Sequence, residues 1–306
     1  MSPARYKFRI PGGLGNQLFA YYSALFTSTK ADATVFLDMA SVDRSHYKDR
    51  VSLLSFNLAA NNLVISNAHG AHRRRNRYII RLLKEAKLLT GLEKTVLFPP
   101  GLDSRQHFER FLFSGSNFQP RTITIEGYFS DFSFFDGVPR EYQFLKLKNA
   151  SSAFTQLSEQ MKNQRTLAIH HRLGDFTELG SSVGLLSSEF YREALDLACD
   201  RKMRKVLIFS NDPEKSKSLF GNWGIDDSRF SWIGPEELPD PAETLLLMSR
   251  ANSIICSNST FSYWAAKLSS VDDTNVYYPH EFRRDNLANV LSIPGEWKPL
   301  DSRWHC

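Results

Sequence analysis

The chain has 306 residues with a formal net charge of +5, and 42% of its residues are hydrophobic, which excludes a disordered chain. No run approaches 18 consecutive apolar residues, and the N-terminus lacks the apolar segment of a signal peptide, so we expect a cytoplasmic protein. The three cysteines show no metal-binding spacing; a reducing setting is expected, with Cys199 and Cys256 as small buried side chains.

The N-terminal half begins with an α/β pattern. Residues 7–10 predict a strand, 17–28 a buried helix and 33–37 a second strand. Residues 41–120 give a weaker pattern, which we interpret as mixed helix and loop, and 121–126 alternate as a strand does.

Residues 72–87 carry much of the positive charge, and apolar residues recur among them at helical spacing. Two interpretations stay open: peripheral contact of 72–89 with an anionic membrane, or the solvated face of a helix that packs on its own domain. Nucleic-acid binding is not indicated, because no basic motif with interleaved aromatic residues accompanies the charge.

The C-terminal half alternates strands with helices. Strands are predicted at 166–169, 205–209, 230–233, 253–256 and 275–278, and helices at 151–164, 187–201 and 242–249. This order predicts parallel sheets with helices on both faces. We expect two α/β domains, 1–150 and 151–306.

The stretch IHHRLGDF (169–176) ends an apolar strand with His170, Arg172 and Asp175. Ligands of α/β proteins bind at the carboxyl ends of strands, and an arginine there presents a planar fork of donors to phosphate or carboxylate. The alternative is a surface ion pair between Arg172 and Asp175.

A glycine-rich turn, PGGLGNQ (11–17), separates the first strand from the first helix. It lacks the third glycine of the dinucleotide fingerprint, where Leu18 stands, and the Gly-Lys-Ser/Thr of a P-loop. Its glycines allow close approach of a ligand, and the amides of Asn16 and Gln17 suit hydroxyl groups. A purely structural turn is the alternative.

Two hydroxyl-rich stretches follow other strands. SNSTFS (257–262) is either an anion cradle or an ordinary helix cap. In FSNDPE (209–214), Asn211 or Asp212 reads a purine or ribose, or Asp212 caps the next helix. Neither an Asp-x-Asp pair nor a histidine array is present, so we expect no metal cofactor, and Arg172 would balance a leaving phosphate.

Four motifs together resemble the bacterial-type α-1,2-fucosyltransferases of glycosyltransferase family 11. They are GGLGNQLF, GYFSDFSFF (127–135), HHRLGDF, and FSNDPE followed by LMSRANSIICSNSTFSYWAAKL (247–268). The resemblance covers the chain except about 40–120. It implies a GT-B-like fold, with two Rossmann-like domains facing a central cleft. It also implies metal-independent, inverting transfer of L-fucose from GDP-β-L-fucose to the 2-hydroxyl of a terminal galactose, in O-antigen or related glycan synthesis.

The resemblance also suggests roles for individual residues. The implied donor-binding residues are His170, Arg172, Gly15, Asn16, Ser210, Asp212, Glu243, Ser259, Thr260 and Phe261. The implied acceptor-binding residues are Gln17, Tyr128 and Asp131, and the catalytic candidates are Arg172 with Asp175 or Glu178 as general base.

Two departures from the family pattern matter. The family usually has GYFQS where this chain has Ser130-Asp131 after Tyr128-Phe129, and its expected guanine-binding aspartate is replaced by Thr244, with Glu243 beside it. Two other functions stay open: a fucosyltransferase of another linkage (protein O- or α-1,6-type), or a non-catalytic nucleotide-binding or membrane-surface module.

Overall fold

The computed structural model describes residues 5–10, 12–31, 33–39, 52–58, 63–66, 93–99, 103–113, 122–173, 183–199, 203–285 and 289–305. The chain divides into two compact units. Unit 1 comprises Met1–Leu54 and Leu58–Leu145, and unit 2 comprises Ser55–Asn57 and Lys146–Cys306. The division at Leu145 lies a few residues before the boundary expected from the sequence. None of the helices in the described ranges is long and apolar enough to cross a membrane.

Unit 1 contains a parallel five-stranded sheet with the strand order β3-β2-β1-β5-β4. Its strands are β1 (Arg5–Arg9), β2 (Thr34–Asp38), β3 (Leu63–Ser66), β4 (Glu93–Phe98) and β5 (Thr122–Gly127). Its described helices are α1 (Leu14–Lys30), α2 (Arg105–Phe113) and the single turn α3 (Ser133–Asp136), with short 3-10 turns at Ser52–Ser55 and Arg140–Tyr142.

The core of unit 1 is aromatic. Helix α1 is buried almost all round, as expected of a helix that is apolar on every face, and its Ser23 and Thr27 hydroxyls donate to carbonyls one turn back. Phe8, Phe108 and Phe129 are fully buried, with ring centroids 5.5–5.9 Å apart. The cluster packs the ends of β1 and β5 against α2.

The interpretation of 41–120 as mixed helix and loop is wrong for the described part of that stretch, which contains β3 and β4 as well as α2. Both strands lie at the edges of the sheet. Edge strands expose part of their surface, as Val64 and Leu97 do here, and carry polar residues that weaken the strand pattern. Their sequences were therefore difficult to distinguish from loops.

Unit 2 contains a parallel six-stranded sheet with the order β11-β10-β9-β6-β7-β8. Its strands are β6 (Thr166–His170), β7 (Lys205–Phe209), β8 (Phe230–Ile233), β9 (Ser253–Ile255), β10 (Asn275–Pro279) and β11 (Lys298–Leu300). Its described helices are α4 (Ser152–Lys162), α5 (Ser188–Ala198), α6 (Pro213–Asn222), α7 (Pro241–Met248) and α8 (Thr260–Lys267).

The strand order of unit 2 determines where a ligand can bind. Every residue of the central strand β6 is buried, and the chain proceeds from it to β7 and β8 on one side and returns to β9, β10 and β11 on the other. Such a reversal opens a crevice at the carboxyl ends of the two strands that flank it, here β6 and β9. In unit 1 the equivalent reversal lies between β1 and β5. The predicted parallel α/β organisation is confirmed.

Candidate active site

A hydrogen bond between His170 and Ser257 joins the two strand ends at the reversal point of unit 2. His170 is the last residue of β6, and its Nδ1 lies 2.7 Å from the Oγ of Ser257, which follows β9. Its ring also stacks on Phe261, with centroids 5.4 Å apart and planes inclined by 28°. The imidazole therefore ties together the two strand ends at which a ligand of this fold is expected.

His170 is a neutral side chain. Burial, then the nearby positive charge of Arg172 and the neighbouring His171, lower its pKa to about 3. It is only 5% exposed. It therefore carries no charge towards a phosphate at neutral pH, and its predicted contact with a donor stays a prediction.

His171 is a second buried histidine, whose position in the sequence indicated no role. Its Nδ1 lies 2.5 Å from Ser216 Oγ, and its ring packs edge-on against Tyr191, Phe220 and Trp223. Burial lowers its pKa to about 3, so it too is neutral. Its hydrogen bond depends on α6, which sequence alone did not bring near β6.

Arg172 follows these two histidines directly and is partly buried. The backbone on both sides of it is bonded to the end of β7: His171 N donates to the carbonyl of Phe209, and Leu173 N donates to Asn211 Oδ1, at 2.9 and 3.0 Å. Asp175, Glu178 and the stretch 72–89 lie outside the described residues, so the predictions about them stay predictions.

The loop after β9 carries the hydroxyl-rich motif. Ser259 is the N-cap residue of α8, but within the described structure its side chain makes no capping hydrogen bond. The simple capping role considered for it is therefore not seen. The Ser262 hydroxyl instead donates to the carbonyls of Ser257 and Ser259, which rigidifies the turn from which Thr260 and Phe261 begin the helix.

The loop after β7 is held by its own side chains. Asp212 caps α6 by accepting a hydrogen bond from Lys215 N at 3.1 Å, the alternative that the sequence left open. Ser210 is buried; its hydroxyl accepts from the backbone N–H of Asp212 and donates to the Asp212 carbonyl. Their predicted contacts with a nucleotide are untested.

Glu243, in the first turn of α7, is buried and binds Ser151. One carboxylate oxygen accepts from Ser151 N at 2.5 Å and the other from Ser151 Oγ at 2.8 Å. Ser151 Oγ also caps α4 by accepting from Phe154 N. Glu243 therefore connects the N-termini of α7 and α4, and its proposed hydrogen bonds to guanine stay a prediction.

The glycine-rich turn of unit 1 is braced by Gln17. Gln17 is 1% exposed; its Nε2 donates to the Gly12 carbonyl at 3.0 Å and its Oε1 accepts from Leu53 N at 3.1 Å. Gly12 has a φ of 54°, a conformation that favours glycine. Gly15 is buried in the first turn of α1, and Asn16 is partly buried beside it. In this structure the Gln17 amide supports the turn, and its predicted contact with an acceptor is untested.

The two other predicted acceptor residues follow β5. Asp131 is 4% exposed and accepts hydrogen bonds from Arg105 N and Ser133 N, so it fixes the starts of α2 and α3. Tyr128 is 48% exposed. Of the three predicted acceptor residues, Tyr128 alone offers a substantial exposed surface.

Within the described ranges, no three or more His, Cys, Asp or Glu side chains are grouped so that they could hold a metal ion. Cys256 is fully buried and Cys199 partly buried, and neither is part of a disulfide. The expectation that the reaction needs no metal stays a prediction.

Comparison with known proteins identifies relatives along most of the chain. The O-antigen biosynthesis glycosyltransferase WbnK of Escherichia coli is 24% identical over 93% of this chain and 97% of its own length. The alpha-1,2-colitosyltransferase of Escherichia coli is 23% identical over 96% of this chain and 98% of its own.

Solved structures show the same fold at low sequence identity. The α-1,6-fucosyltransferase NodZ co-crystallized with GDP has a TM-score of 0.51 and 13% identity, covering 88% of this chain and 93% of NodZ. A family 9 glycosyl transferase of Veillonella parvula has a TM-score of 0.52 and 11% identity, covering 99% of this chain and 88% of its own. The expected GT-B-like α/β fold with parallel sheets is confirmed.

The sequence resemblance to glycosyltransferase family 11 rested on four motifs, three of which lie within residues 127–268. A model of that family, described as "Glycosyl transferase family 11", matches residues 128–290, which is more than half of the 306-residue chain. The match includes β6 with Arg172 and the loop between β9 and α8. The protein therefore belongs to glycosyl transferase family 11.

Proposed function

We propose that this glycosyltransferase moves L-fucose from GDP-β-L-fucose to the 2-hydroxyl of a terminal galactose, with inversion, during assembly of O-antigen or a related surface glycan. The observation that carries the proposal is the placement of Arg172 beside the reversal point of a nucleotide-binding type of sheet. A GDP complex of NodZ, the name of WbnK and the α-1,2 linkage in the name of the colitosyltransferase support the donor, the pathway and the linkage.

Arg172 is proposed to stabilise the leaving group. As the acceptor oxygen attacks C1 of fucose, the bond from C1 to the β-phosphate oxygen breaks and GDP leaves with the electron pair. Negative charge therefore grows on the β-phosphate, and a guanidinium held in place before the reaction stabilises it more in the transition state than in the ground state. The neutral His170 and His171 add no charge, so in this account Arg172 provides the cation.

The remaining roles are proposed from position. The acceptor hydroxyl must lose its proton as it attacks, and Asp175 or Glu178, just after Arg172 in the sequence, would accept it. The N-terminus of α8, with Ser259 and Thr260, would bind the diphosphate through backbone N–H groups and hydroxyls. With these groups in place the transfer would need no metal ion.

A second donor is favoured by one relative. The alpha-1,2-colitosyltransferase is similar to this chain over almost its whole length. As a compound, colitose is L-fucose without the 3-hydroxyl. The second candidate function is therefore transfer of colitose in the same α-1,2 linkage. Parallel assays with GDP-fucose and GDP-colitose separate the two, because the competent donor releases more GDP when acceptor is present.

The primary test measures GDP release from GDP-fucose with a galactose-terminated disaccharide, with and without EDTA, for the wild-type protein and Arg172→Ala. We expect acceptor-stimulated release that survives EDTA and collapses in the variant, and an α-1,2 linkage in the product by NMR. Loss of activity in EDTA would contradict metal independence. An α-1,6 product would show another linkage, and absence of both GDP-fucose binding and turnover would contradict the proposal.

A further inference from the structure

Asparagine side chains accept backbone hydrogen bonds at both ends of strand β6. At its start, Thr166 N donates to Asn252 Oδ1 at 2.9 Å, and beyond its end, Leu173 N donates to Asn211 Oδ1 at 3.0 Å. Asn252 precedes β9 and Asn211 follows β7, the two strands that flank β6. Because the donor in each case is a backbone N–H, the acceptor must be the amide oxygen.

The bond to Asn211 continues the pairing of β6 with β7 beyond the last paired residues. His170 is in register with Phe209, and the next N–H, of His171, donates to the Phe209 carbonyl. In a parallel ladder the hydrogen bonds recur at every second residue, so Leu173 N would next donate to the carbonyl of residue 211. The Asn211 side-chain oxygen takes the place of that carbonyl.

The Asn211 side-chain oxygen replaces the backbone carbonyl as acceptor for a clear local reason. Asp212 caps α6, which begins at Pro213, so the chain turns out of the sheet directly after β7. The Asn211 side chain supplies the acceptor that the departing backbone would otherwise have provided. Arg172 consequently lies between two backbone N–H groups, those of His171 and Leu173, that are both bonded to the end of β7.

We propose that Asn211 is a positioning residue for Arg172: its amide oxygen holds the Leu173 backbone and thereby fixes the guanidinium where the leaving diphosphate develops charge. This inference rests on the proposed function of Arg172. The sequence alone left Asn211 as a candidate reader of a purine or ribose, whereas its oxygen is engaged by Leu173 N in the structure. Small displacements of a charge-stabilising group cost rate because the group must be aligned before the reaction.

Asn252 provides a matched control. It has the same residue type and makes the same kind of bond to the same strand, at nearly the same length, but at the end of β6 opposite to Arg172. Asn252→Ala should therefore lower thermal stability, because it removes a hydrogen bond of the same kind. It should have no specific effect on the Arg172 guanidinium.

The experiment is a double-mutant cycle of Asn211→Ala with Arg172→Lys, read in kcat with GDP-fucose and in GDP affinity by calorimetry. We expect Asn211→Ala to lower kcat about 10- to 100-fold in the wild-type background and less than about 3-fold in the Arg172→Lys background. Asn211→Asp, which keeps the acceptor oxygen, should restore most of the rate. Asn252→Ala should act equally in both backgrounds.

The outcomes are distinguishable. Equal effects of Asn211→Ala in the two backgrounds, in both kcat and GDP affinity, would overturn the inference while the active wild-type enzyme upholds the proposed function. A wild-type protein that neither binds GDP nor turns over the donor would overturn the proposed function, and this inference with it. Asn211 is exposed, so its variants should fold. If Asn211→Ala does not fold, Asn211→Gln provides a second test, because it displaces the same oxygen by one methylene.

Discussion

His170 ends β6 and Ser257 follows the neighbouring parallel strand β9, and the 2.7 Å hydrogen bond between Nδ1 and Oγ joins residues that are 87 positions apart in the sequence. Both side chains are almost inaccessible to solvent. A hydrogen bond in such surroundings fixes the two strand ends relative to each other, because breaking it would leave a buried polar atom unsatisfied. The donor site proposed above is built on these two ends.

Removal of the Ser257 hydroxyl tests this arrangement. We expect Ser257→Ala to lower the free energy of unfolding by about 1–3 kcal/mol, because buried His170 Nδ1 loses its partner. Chemical denaturation measures the loss, and NMR of the His170 imidazole should show a changed environment. Ser262→Ala is the control, since its hydroxyl bonds only backbone carbonyls in the described structure. Identical His170 signals in wild type and Ser257→Ala would contradict the bond.

The sequence predicted the separate parts of this site better than their connections. The continuous apolar run before His170 predicted β6, and the motif around Ser257 predicted a loop between strand and helix. That His170 bonds to Ser257, and Leu173 to Asn211, depends on β6 lying between β7 and β9. Strand order is a long-range property, which the periodicity of a single segment does not contain.

Edge strands and buried polar residues were the other features that were difficult to predict from the sequence. Strand β11 has the sequence Lys-Pro-Leu at the sheet edge, where proline is tolerated but gives no strand signal. Gln17 and Asp131 were predicted as acceptor contacts from the family resemblance; in the structure both are buried and bonded to backbone groups, and their acceptor contacts stay predictions. A polar side chain beside a glycine-rich turn suits either role, and only packing distinguishes them.

Arg172→Lys tests whether the shape of the guanidinium matters as well as its charge. Lysine keeps the positive charge but loses the planar fork, so we expect kcat to fall about 10²- to 10³-fold. Steady-state kinetics with GDP-fucose measure the change. Arg229→Lys is the control, because Arg229 contacts both carboxylate oxygens of Asp227 and we assign it no role in transfer. If kcat falls less than 3-fold in Arg172→Lys, Arg172 contributes only its positive charge and not the shape of its guanidinium.

Acid should destabilise the protein through its two buried histidines. The pKa of His170 and of His171 is lowered to about 3 in the folded chain, so between pH 6.5 and 3 the unfolded chain binds more protons. Stability should therefore fall as the pH falls below 6.5, by at most about 1.4 kcal/mol per pH unit for each histidine. Denaturation at pH 5–7.5 measures this slope.

His171→Phe keeps a ring against Tyr191 and Phe220 but removes one titrating group, so it should remove about half of the histidine contribution to that slope. If His171→Phe shows the wild-type slope, His171 does not couple folding to pH.

Glu243 and Ser151 can be separated by their effects on nucleotide choice. Glu243→Gln turns one carboxylate acceptor into a donor, so guanine N1–H and N2–H could no longer both be accepted, and GDP affinity should fall at least about 10-fold. Ser151→Ala leaves the carboxylate intact and removes a helix cap, which should lower stability by about 0.5–2 kcal/mol and preserve GDP affinity. Calorimetric titration with GDP and with ADP measures the nucleotide affinities, and calorimetric thermal denaturation measures the stability. Equal loss of GDP affinity in the two variants would restrict Glu243 to its bond with Ser151.

Tyr128 is the residue of unit 1 that we expect to contact the acceptor. It follows β5 at the reversal point of the sheet and is about half exposed, whereas the adjoining Phe129 is fully buried. An exposed aromatic ring at such a position offers an apolar face to a sugar and a hydroxyl to its polar groups. We therefore expect Tyr128→Ala to raise the KM for the galactoside acceptor about 10-fold and to leave GDP affinity unchanged.

Three variants separate this contact from a general effect on unit 1. Tyr128→Phe keeps the ring and should recover most of the loss. Phe144→Ala removes another exposed aromatic ring of the same unit and should leave the acceptor KM unchanged. Asp131→Asn weakens the hydrogen bonds to Arg105 N and Ser133 N and should act on thermal stability. An unchanged acceptor KM in Tyr128→Ala would contradict the predicted contact, since the exposed ring would then contribute nothing to acceptor binding.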